Sequence, residues 1–260
     1  MPFARIDDLD VHYQVAGEGP WLTLAHPLAA DLRIWALQMP LLLRHFRVLR
    51  FDARGHGDTS ATFAPYTLGQ LADDALGLLE HLGITRTHWI GLSMGGMVAQ
   101  AIALKRPGIL DRIVLADSTS RRPANAAAIW AERIAAARAH GMSAIVAPTL
   151  ERWFTPAYRA VNPDLMEWVA EQISATSVEG YCGCCAAISQ IDMLDRLKEI
   201  DAPALIMAGD RDHSTPPEMS EQMSRNWRGS AYCTIPDAAH IGNIEQADFF
   251  NRQIAAFLGV

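Results

Sequence analysis

The feature that most constrains this fold is the segment 91–96, which reads GLSMGG. It follows an apolar run at 88–92 and precedes a helical pattern that Pro107 ends. A sharp strand-to-helix turn strains the backbone of its central residue, so only small residues fit two positions to either side. The spacing therefore predicts that Ser93 projects from such a turn at a helix N-terminus, where the helix dipole and free N–H groups favour developing negative charge.

Short apolar runs alternate with longer helical stretches on both sides of this turn. The alternation is typical of a mostly parallel sheet flanked by helices, and 260 residues, half of them apolar, suffice for one such α/β domain. A hairpin should open the chain at Phe3–Ile6 and 11–15, and Thr67 with Gln70 marks the start of a helix that stops near Gly83. Further strands are predicted at Trp21–Ala25, Arg47–Phe51, 88–92, 112–116, 204–208 and 231–235.

The alternation is interrupted between Ala116 and Pro203, where only helical patterns occur. The simplest account is a helical lid at 121–189, inserted into a core made of 1–120 and 190–260. Such a lid would wall a pocket above the strand ends and exclude water from it.

Charge and composition argue against several classes of partner. The net charge is −7 and no block of Lys or Arg stands out, which disfavours nucleic acid and anionic membranes. The N-terminal segment is acidic and lacks a long apolar run, so we expect neither a signal peptide nor a membrane span. The expected compartment is the cytoplasm. Both a monomer and a homo-oligomer remain open. Cys182, Cys184 and Cys185 lack a second pair of ligands, so they predict packing and no metal site.

A serine hydroxyl becomes a nucleophile only when a base removes its proton, so Ser93 needs a histidine. Among nine histidines, His240 lies in a loop between the last predicted strand and the C-terminal helix, where its side chain can reach the pocket. The acid that orients it should follow the preceding strand, which favours Asp212. Asp117 and Asp210 remain alternatives. Asp117 is a candidate because it directly follows the predicted strand at 112–116.

Two fixed donors should stabilise the oxygen on which negative charge develops. One is the backbone N–H of Met94, directly after the nucleophile. The other should come from the loop after Trp21–Ala25. Pro27 has no N–H, so Leu28 is the natural donor.

These motifs occur together with 51–57 (FDARGHG), 209–212 (GDRD) and 238–240 (AAH). In this order they resemble the α/β-hydrolase superfamily along essentially the whole chain. More narrowly, the chain resembles the 3-oxoadipate enol-lactonases. That resemblance lies at 91–97 (GLSMGGM), 129–134 (IWAERI), 150–155 (LERWFT), 179–181 (EGY) and 238–246 (AAHIGNIEQ).

The resemblance implies a serine hydrolase that cleaves carboxylic esters or lactones through an acyl-enzyme, without metal or organic cofactor. Its small-molecule substrate would carry a free carboxylate if it is an enol-lactone, and the pocket would then need a cation. Trp130, Trp153 and Arg133 are the candidate pocket residues from the lid. The sequence leaves open which lid arginine faces the substrate among Arg121, Arg122, Arg133, Arg138, Arg152 and Arg159.

One departure from the lactonase pattern keeps a second function open. The oxyanion loop reads His26-Pro27-Leu28 where the lactonases have Asn-Ser-Leu, and this favours a carboxylesterase of broad specificity. A non-catalytic small-molecule receptor is the alternative from another class. The presence of Ser93, Asp212 and His240 together argues against it.

Overall fold

The computed structural model describes residues 2–260. Eight strands form a single sheet. In chain order they are β1 (Phe3–Ile6), β2 (Leu9–Ala16), β3 (Trp21–Ala25), β4 (Arg47–Phe51), β5 (Thr87–Leu92), β6 (Leu110–Ala116), β7 (Ala204–Gly209) and β8 (Ser230–Ile235).

The spatial order of the strands is β1-β2-β4-β3-β5-β6-β7-β8. The opening hairpin pairs β1 with β2 and joins β4 in antiparallel fashion, whereas β3 to β8 are all parallel. The predicted α/β class with a mostly parallel sheet is therefore confirmed. Because parallel strands point the same way, the segments that follow β3, β5, β6, β7 and β8 all emerge at one edge of the sheet.

Helices cover both faces of this sheet. The predicted capping pair is present, with the Gln70 N–H donating to Thr67 Oγ1 at 3.0 Å. The helix predicted after the Ser93 turn begins at Met94, directly after Ser93. The α-helices are α1 (Met39–Leu42), α2 (Leu68–His81), α3 (Met94–Lys105), α4 (Ala126–His140), α5 (Ser143–Trp153), α6 (Pro156–Val161), α7 (Pro163–Ala175), α8 (Val178–Ser189), α9 (Pro217–Asn226), α10 (Gly242–Glu245) and α11 (Ala247–Leu258).

The core consists of two apolar layers, one on each face of the sheet. Successive residues of a strand point to opposite faces, so Trp89 packs in the layer of α2 and α3 while Ile90 packs in the layer of α11. Ile113 and Val114 of β6 divide in the same way. Burial of each such side chain contributes about 1.5–3 kcal/mol, and near-continuous apolar strands are the sequence pattern that fills both layers.

Helices α4 to α8 form an insertion between β6 and β7, where the sequence lacked strands. An antiparallel bridge between Arg121 and Asp192 joins the two ends of the insertion, and Arg121 also pairs with Asp195. The three clustered cysteines lie buried in α8 as free thiols. Within residues 2–260, no helix has both the length and the apolarity needed to cross a bilayer.

The N-terminus of α3 presses closely against β3. A Cβ atom on Gly95 would collide with the Ala25 carbonyl group, and one on Gly91 would collide with the Gly95 backbone. Both neighbours are backbone atoms of buried elements, which cannot move aside as a flexible side chain would. Glycine is therefore required at both positions for steric reasons, as the spacing of the motif predicts.

We expect Gly95→Ala to lower the free energy of unfolding by at least about 1–3 kcal/mol, because β3 and α3 must separate to admit the methyl group. Urea denaturation followed by circular dichroism measures the change. Gly69→Ala, on the exposed first turn of α2, is the control, since its Cβ would meet only Thr67 Oγ1 at 3.7 Å. The control should be neutral or stabilising by up to about 1 kcal/mol. Equal effects of the two substitutions would contradict this account.

Candidate active site

Ser93 occupies the sharp turn between β5 and α3. Its dihedral angles are φ 50° and ψ −110°, a left-handed conformation that a non-glycine residue rarely adopts. The turn is fixed by the Ser93 N–H, which donates to the Ala116 carbonyl at 2.8 Å, and by Ser118 Oγ, which donates to the Ser93 carbonyl at 2.8 Å. The backbone thus directs the Ser93 hydroxyl into the space above the sheet edge.

The three side chains singled out as nucleophile, base and acid meet in one hydrogen-bonded line. Ser93 Oγ lies 2.9 Å from His240 Nε2, and His240 Nδ1 lies 2.7 Å from Asp212 Oδ2. All three residues are buried. The geometry allows the hydroxyl proton to pass to Nε2 while Nδ1–H remains bound to the carboxylate.

The Asp212 carboxylate is held by its own loop. Oδ1 accepts the N–H groups of Ser214 and Thr215 at 2.7 and 3.2 Å, and Oδ2 accepts the Thr215 hydroxyl at 2.7 Å. Such local hydrogen bonds fix the direction of the carboxylate before the imidazolium forms. Ser214 and Thr215 were not singled out in the sequence, although hydroxyl residues two and three positions after an aspartate are typical of a turn.

The two alternative acids serve elsewhere. Asp210 Oδ1 accepts the Ala238 N–H at 3.3 Å, which fixes the turn after β7. Asp117 is fully buried, and its Oδ1 accepts the Gly209 N–H at 2.7 Å. Burial, and then the nearby Asp212 carboxylate, raise the pKa of Asp117 well above its usual value, although the Gly209 N–H opposes this. Asp117 therefore anchors the end of β7 and makes no hydrogen bond to His240 within residues 2–260.

The loop after β3 lines the pocket beside Ser93 through Pro27, Leu28 and Ala29. Within residues 2–260, neither the Leu28 N–H nor the Met94 N–H donates to another backbone group or side chain. Within the described residues, both N–H groups are thus without a protein acceptor, which the prediction of two backbone donors requires.

A pocket of about 150 Å³ lies between Ser93 and the helical insertion. Its walls combine apolar side chains from the core and the insertion with the ring of His240. The candidate residues Trp130, Trp153 and Arg133 all line it. Arg133 stacks on Trp130, with its Cζ atom 4.6 Å from the ring centroid.

The structure also distinguishes among the arginines of the insertion. Arg122, Arg133 and Arg152 line the pocket, whereas Arg121 forms ion pairs with two surface aspartates. Arg152 is half-buried, and its guanidinium donates to Thr149 Oγ1 at 2.9 Å. Burial, and then the positive charge of Arg133, lower the pKa of Arg152 to about 10. Among residues 2–260, neither Arg133 nor Arg152 has a carboxylate within ion-pair distance.

One carboxylate connects the insertion to the loop of the base. Glu245, at the end of α10, accepts the Ala239 N–H at 2.9 Å, directly beside His240. Its other oxygen accepts the N–H of Thr155 at 3.0 Å and also the Thr155 hydroxyl. Glu245 was part of the 238–246 resemblance, but this function could not be read from the sequence because its partner Thr155 is distant in the chain.

Comparison with known proteins shows the family to which the chain is similar. A sequence model of the α/β-hydrolase fold matches residues 20–247. The chain is 31% identical over 255 residues to 3-oxoadipate enol-lactonase 1 of Acinetobacter baylyi. This match covers 96% of this chain and 92% of that protein. The enol-lactonase of Burkholderia xenovorans LB400 matches with a TM-score of 0.96 and 36% identity over all of both chains. A malate-bound thermophilic esterase from Thermogutta terrifontis matches with a TM-score of 0.91 and 28% identity, over 96% of this chain and 93% of that one.

The sheet order, and a polar site at its carboxyl edge beneath a helical insertion, define a class of α/β enzymes. The chain belongs to the α/β-hydrolase fold family. Its similarity to enol-lactonases further identifies it as a hydrolase that acts on lactone or ester bonds.

The raised pKa of Asp117 predicts a pH-dependent stability. The folded chain binds this proton more tightly than the unfolded chain, so the stabilisation is complete below the unfolded pKa and is lost as the pH rises toward the folded pKa. We expect Asp117→Asn, which keeps an acceptor for Gly209, to gain up to about 1.4 kcal/mol of stability relative to the parent for each pH unit in that window.

Urea unfolding at several pH values above about 4, where a free aspartate loses its proton, tests this expectation. Asp210→Asn, which neutralises an exposed carboxylate nearby, is the control and should show no such gain. A pH-independent difference between Asp117→Asn and the parent would contradict the assignment.

Proposed function

We propose that Ser93, His240 and Asp212 are the catalytic triad of an enzyme that hydrolyses an enol-lactone bearing a free carboxylate, of the 3-oxoadipate enol-lactone type. The observation that carries the chemistry is the continuous hydrogen-bonded line from Ser93 Oγ through both ring nitrogens of His240 to Asp212. The relatives named enol-lactonase support the substrate class.

The reaction would proceed by acyl transfer. His240 Nε2 accepts the Ser93 proton as Oγ attacks the lactone carbonyl, and the negative charge on the carbonyl oxygen is stabilised by the N–H groups of Leu28 and Met94. The ring C–O bond then breaks, and His240 returns the proton to the enol oxygen that leaves. Because that oxygen belongs to the same molecule, the whole ring-opened substrate remains tethered as an acyl ester of Ser93.

Hydrolysis of this ester would use the same groups in reverse order. His240 removes a proton from water, the resulting hydroxide attacks the acyl carbonyl, and Ser93 leaves as its proton returns. Asp212 keeps Nδ1 protonated and stabilises the imidazolium in both halves. We propose that the insertion at 121–189 acts as the lid that excludes bulk water during these steps.

Two arginines support a substrate with a carboxylate. Arg133 and Arg152 face the same apolar pocket as Ser93 without a carboxylate partner among the described residues. Burial, and then the like charge of Arg133, lower the pKa of Arg152, and an anionic substrate would offset both costs. Trp130 and Trp153 would pack against the apolar part of the ring.

A carboxylesterase of broad specificity is the second candidate. It is favoured by the His26-Pro27 sequence of the oxyanion loop and by the similarity to the Thermogutta esterase. The two functions share every triad step and differ in how the enzyme ranks substrates. Comparing kcat/KM for 3-oxoadipate enol-lactone with that for a panel of neutral esters separates them. A preference for the neutral esters by orders of magnitude would replace the lactonase proposal and retain the hydrolase.

We expect Ser93→Ala to abolish turnover of p-nitrophenyl acetate and Asp212→Asn to lower kcat by about 10⁴-fold, because the amide favours the wrong tautomer of His240. Asp201→Asn, at an exposed position away from the site, should retain turnover. Mass spectrometry of the quenched reaction should find one acetyl group, on Ser93. An active Ser93→Ala variant would refute the triad, and ligand-dependent partner binding without turnover would favour a receptor.

We expect Arg133→Gln and Arg152→Gln each to lower kcat/KM for the carboxylate-bearing lactone by about 10- to 100-fold, the effect of one charge-assisted hydrogen bond. The methyl ester of the same lactone, which lacks the charge, should be affected much less. Arg138→Gln removes an exposed arginine of α4 outside the pocket and serves as the matched control. Equal losses on the charged and the neutral lactone would show that these arginines do not recognise the carboxylate.

A further inference from the structure

His26 is a buried titratable side chain that the proposed triad does not use. It directly follows β3 and precedes the loop that carries Leu28. His26 is 2% exposed, and its ring centroid lies 5.2 Å from that of the buried His56. Burial lowers the pKa of His56 to about 3, so that neighbour stays neutral and places no positive charge against the His26 ring.

The hydrogen bonds of His26 fix which ring nitrogen carries the proton. The Ala53 N–H donates to Nε2 at 2.8 Å. A backbone amide can only donate through its N–H, so Nε2 must be the unprotonated acceptor and Nδ1 must carry the hydrogen in the neutral ring. Nδ1 lies 2.7 Å from the Pro27 carbonyl oxygen, and it therefore donates to that oxygen.

This bond acts on the peptide group that contains the Leu28 N–H. The Pro27 carbonyl and the Leu28 N–H belong to one planar trans peptide and point in opposite directions. Holding the oxygen against the His26 ring, with a second bond from the Ala30 N–H at 3.2 Å, therefore sets the direction of the Leu28 N–H. A donor at the oxygen also polarises the peptide, which strengthens its N–H as a donor.

We propose that His26 is a positioning residue of the oxyanion hole: anchored on Ala53, its Nδ1–H holds the Pro27–Leu28 peptide so that the Leu28 N–H points at the oxygen that becomes negative. This inference rests on the proposed function, in which Leu28 supplies one of the two donors. It assigns His26 no contact with the substrate and no proton transfer. Its effect is on the transition state, because the charge on the oxygen is greatest there.

Two substitutions separate the two bonds of the ring. In His26→Asn the shorter amide can place its NH₂ group near the position of Nδ1, which keeps the donor to Pro27 and loses the acceptor for Ala53. In His26→Gln the longer amide can place its oxygen near the position of Nε2, which keeps the acceptor for Ala53 and loses the donor to Pro27. His26→Ala removes both.

We expect His26→Gln to lower kcat for p-nitrophenyl acetate by about 10- to 100-fold, with KM changed less than about threefold, because a misdirected donor approaches the loss of one oxyanion-hole donor. His26→Asn should lose less activity but have the lower melting temperature, since it leaves the Ala53 N–H without its acceptor. The order of kcat should thus be opposite to the order of thermal stability. A purely structural role would make both follow the same order.

A trifluoromethyl ketone provides a second readout, because it forms a tetrahedral adduct with serine whose oxygen occupies the hole. His26→Gln should weaken its binding by the same factor as kcat. Unchanged kcat and inhibitor affinity in a folded His26→Gln variant would overturn the proposal, as would kcat values that follow thermal stability. Ser93→Ala distinguishes the two failures, since its activity is lost if the triad proposal holds and retained if that proposal is wrong.

Discussion

The site depends on the close packing of the Ser93 turn between β3 and β6. The turn holds Ser93 at φ 50°, a strain of about 1–3 kcal/mol that the surrounding structure must offset. Gly91 and Gly95 let the backbones approach, and the bonds to Ala116 and Ser118 keep the turn in place. Because the direction of the hydroxyl follows from this backbone, every distance to His240 depends on the packing of buried strands.

Around this turn, side-chain hydrogen bonds join segments that are distant in the chain. Asp117 holds the end of β7, from which Asp212 extends, and His26 joins the loop of Leu28 to Ala53, two residues after β4. In a buried, poorly solvated environment such bonds are strong and costly to leave unmade. The groups around the pocket are therefore fixed before a substrate arrives, which is the condition under which backbone donors stabilise developing charge.

Much of this arrangement was predictable because it follows from local patterns. The alternation of strands and helices indicated the sheet, and the positions of Ser93, Asp212 and His240 after β5, β7 and β8 predicted that these side chains lie close together. The choice among the lid arginines was not predictable, since α4 is rich in alanine and has no clear apolar face that would show which way Arg133 points. The role of Asp117 was equally hidden, because its partner Gly209 lies 92 residues further along the chain.

The bonds of Glu245 have a mechanical consequence for the insertion. One buried carboxylate binds both Thr155 and Ala239, so the junction of α5 and α6 cannot swing outward without pulling on the residue next to His240. Opening at the junction of α5 and α6 would displace the His240 imidazole just as a substrate enters the pocket. Asn125 precedes α4 at the opposite end without capping it through its side chain, and within residues 2–260 that end has no comparable tether to the base. The insertion would therefore pivot at its Thr155 end, beside His240, and open at its α4 end.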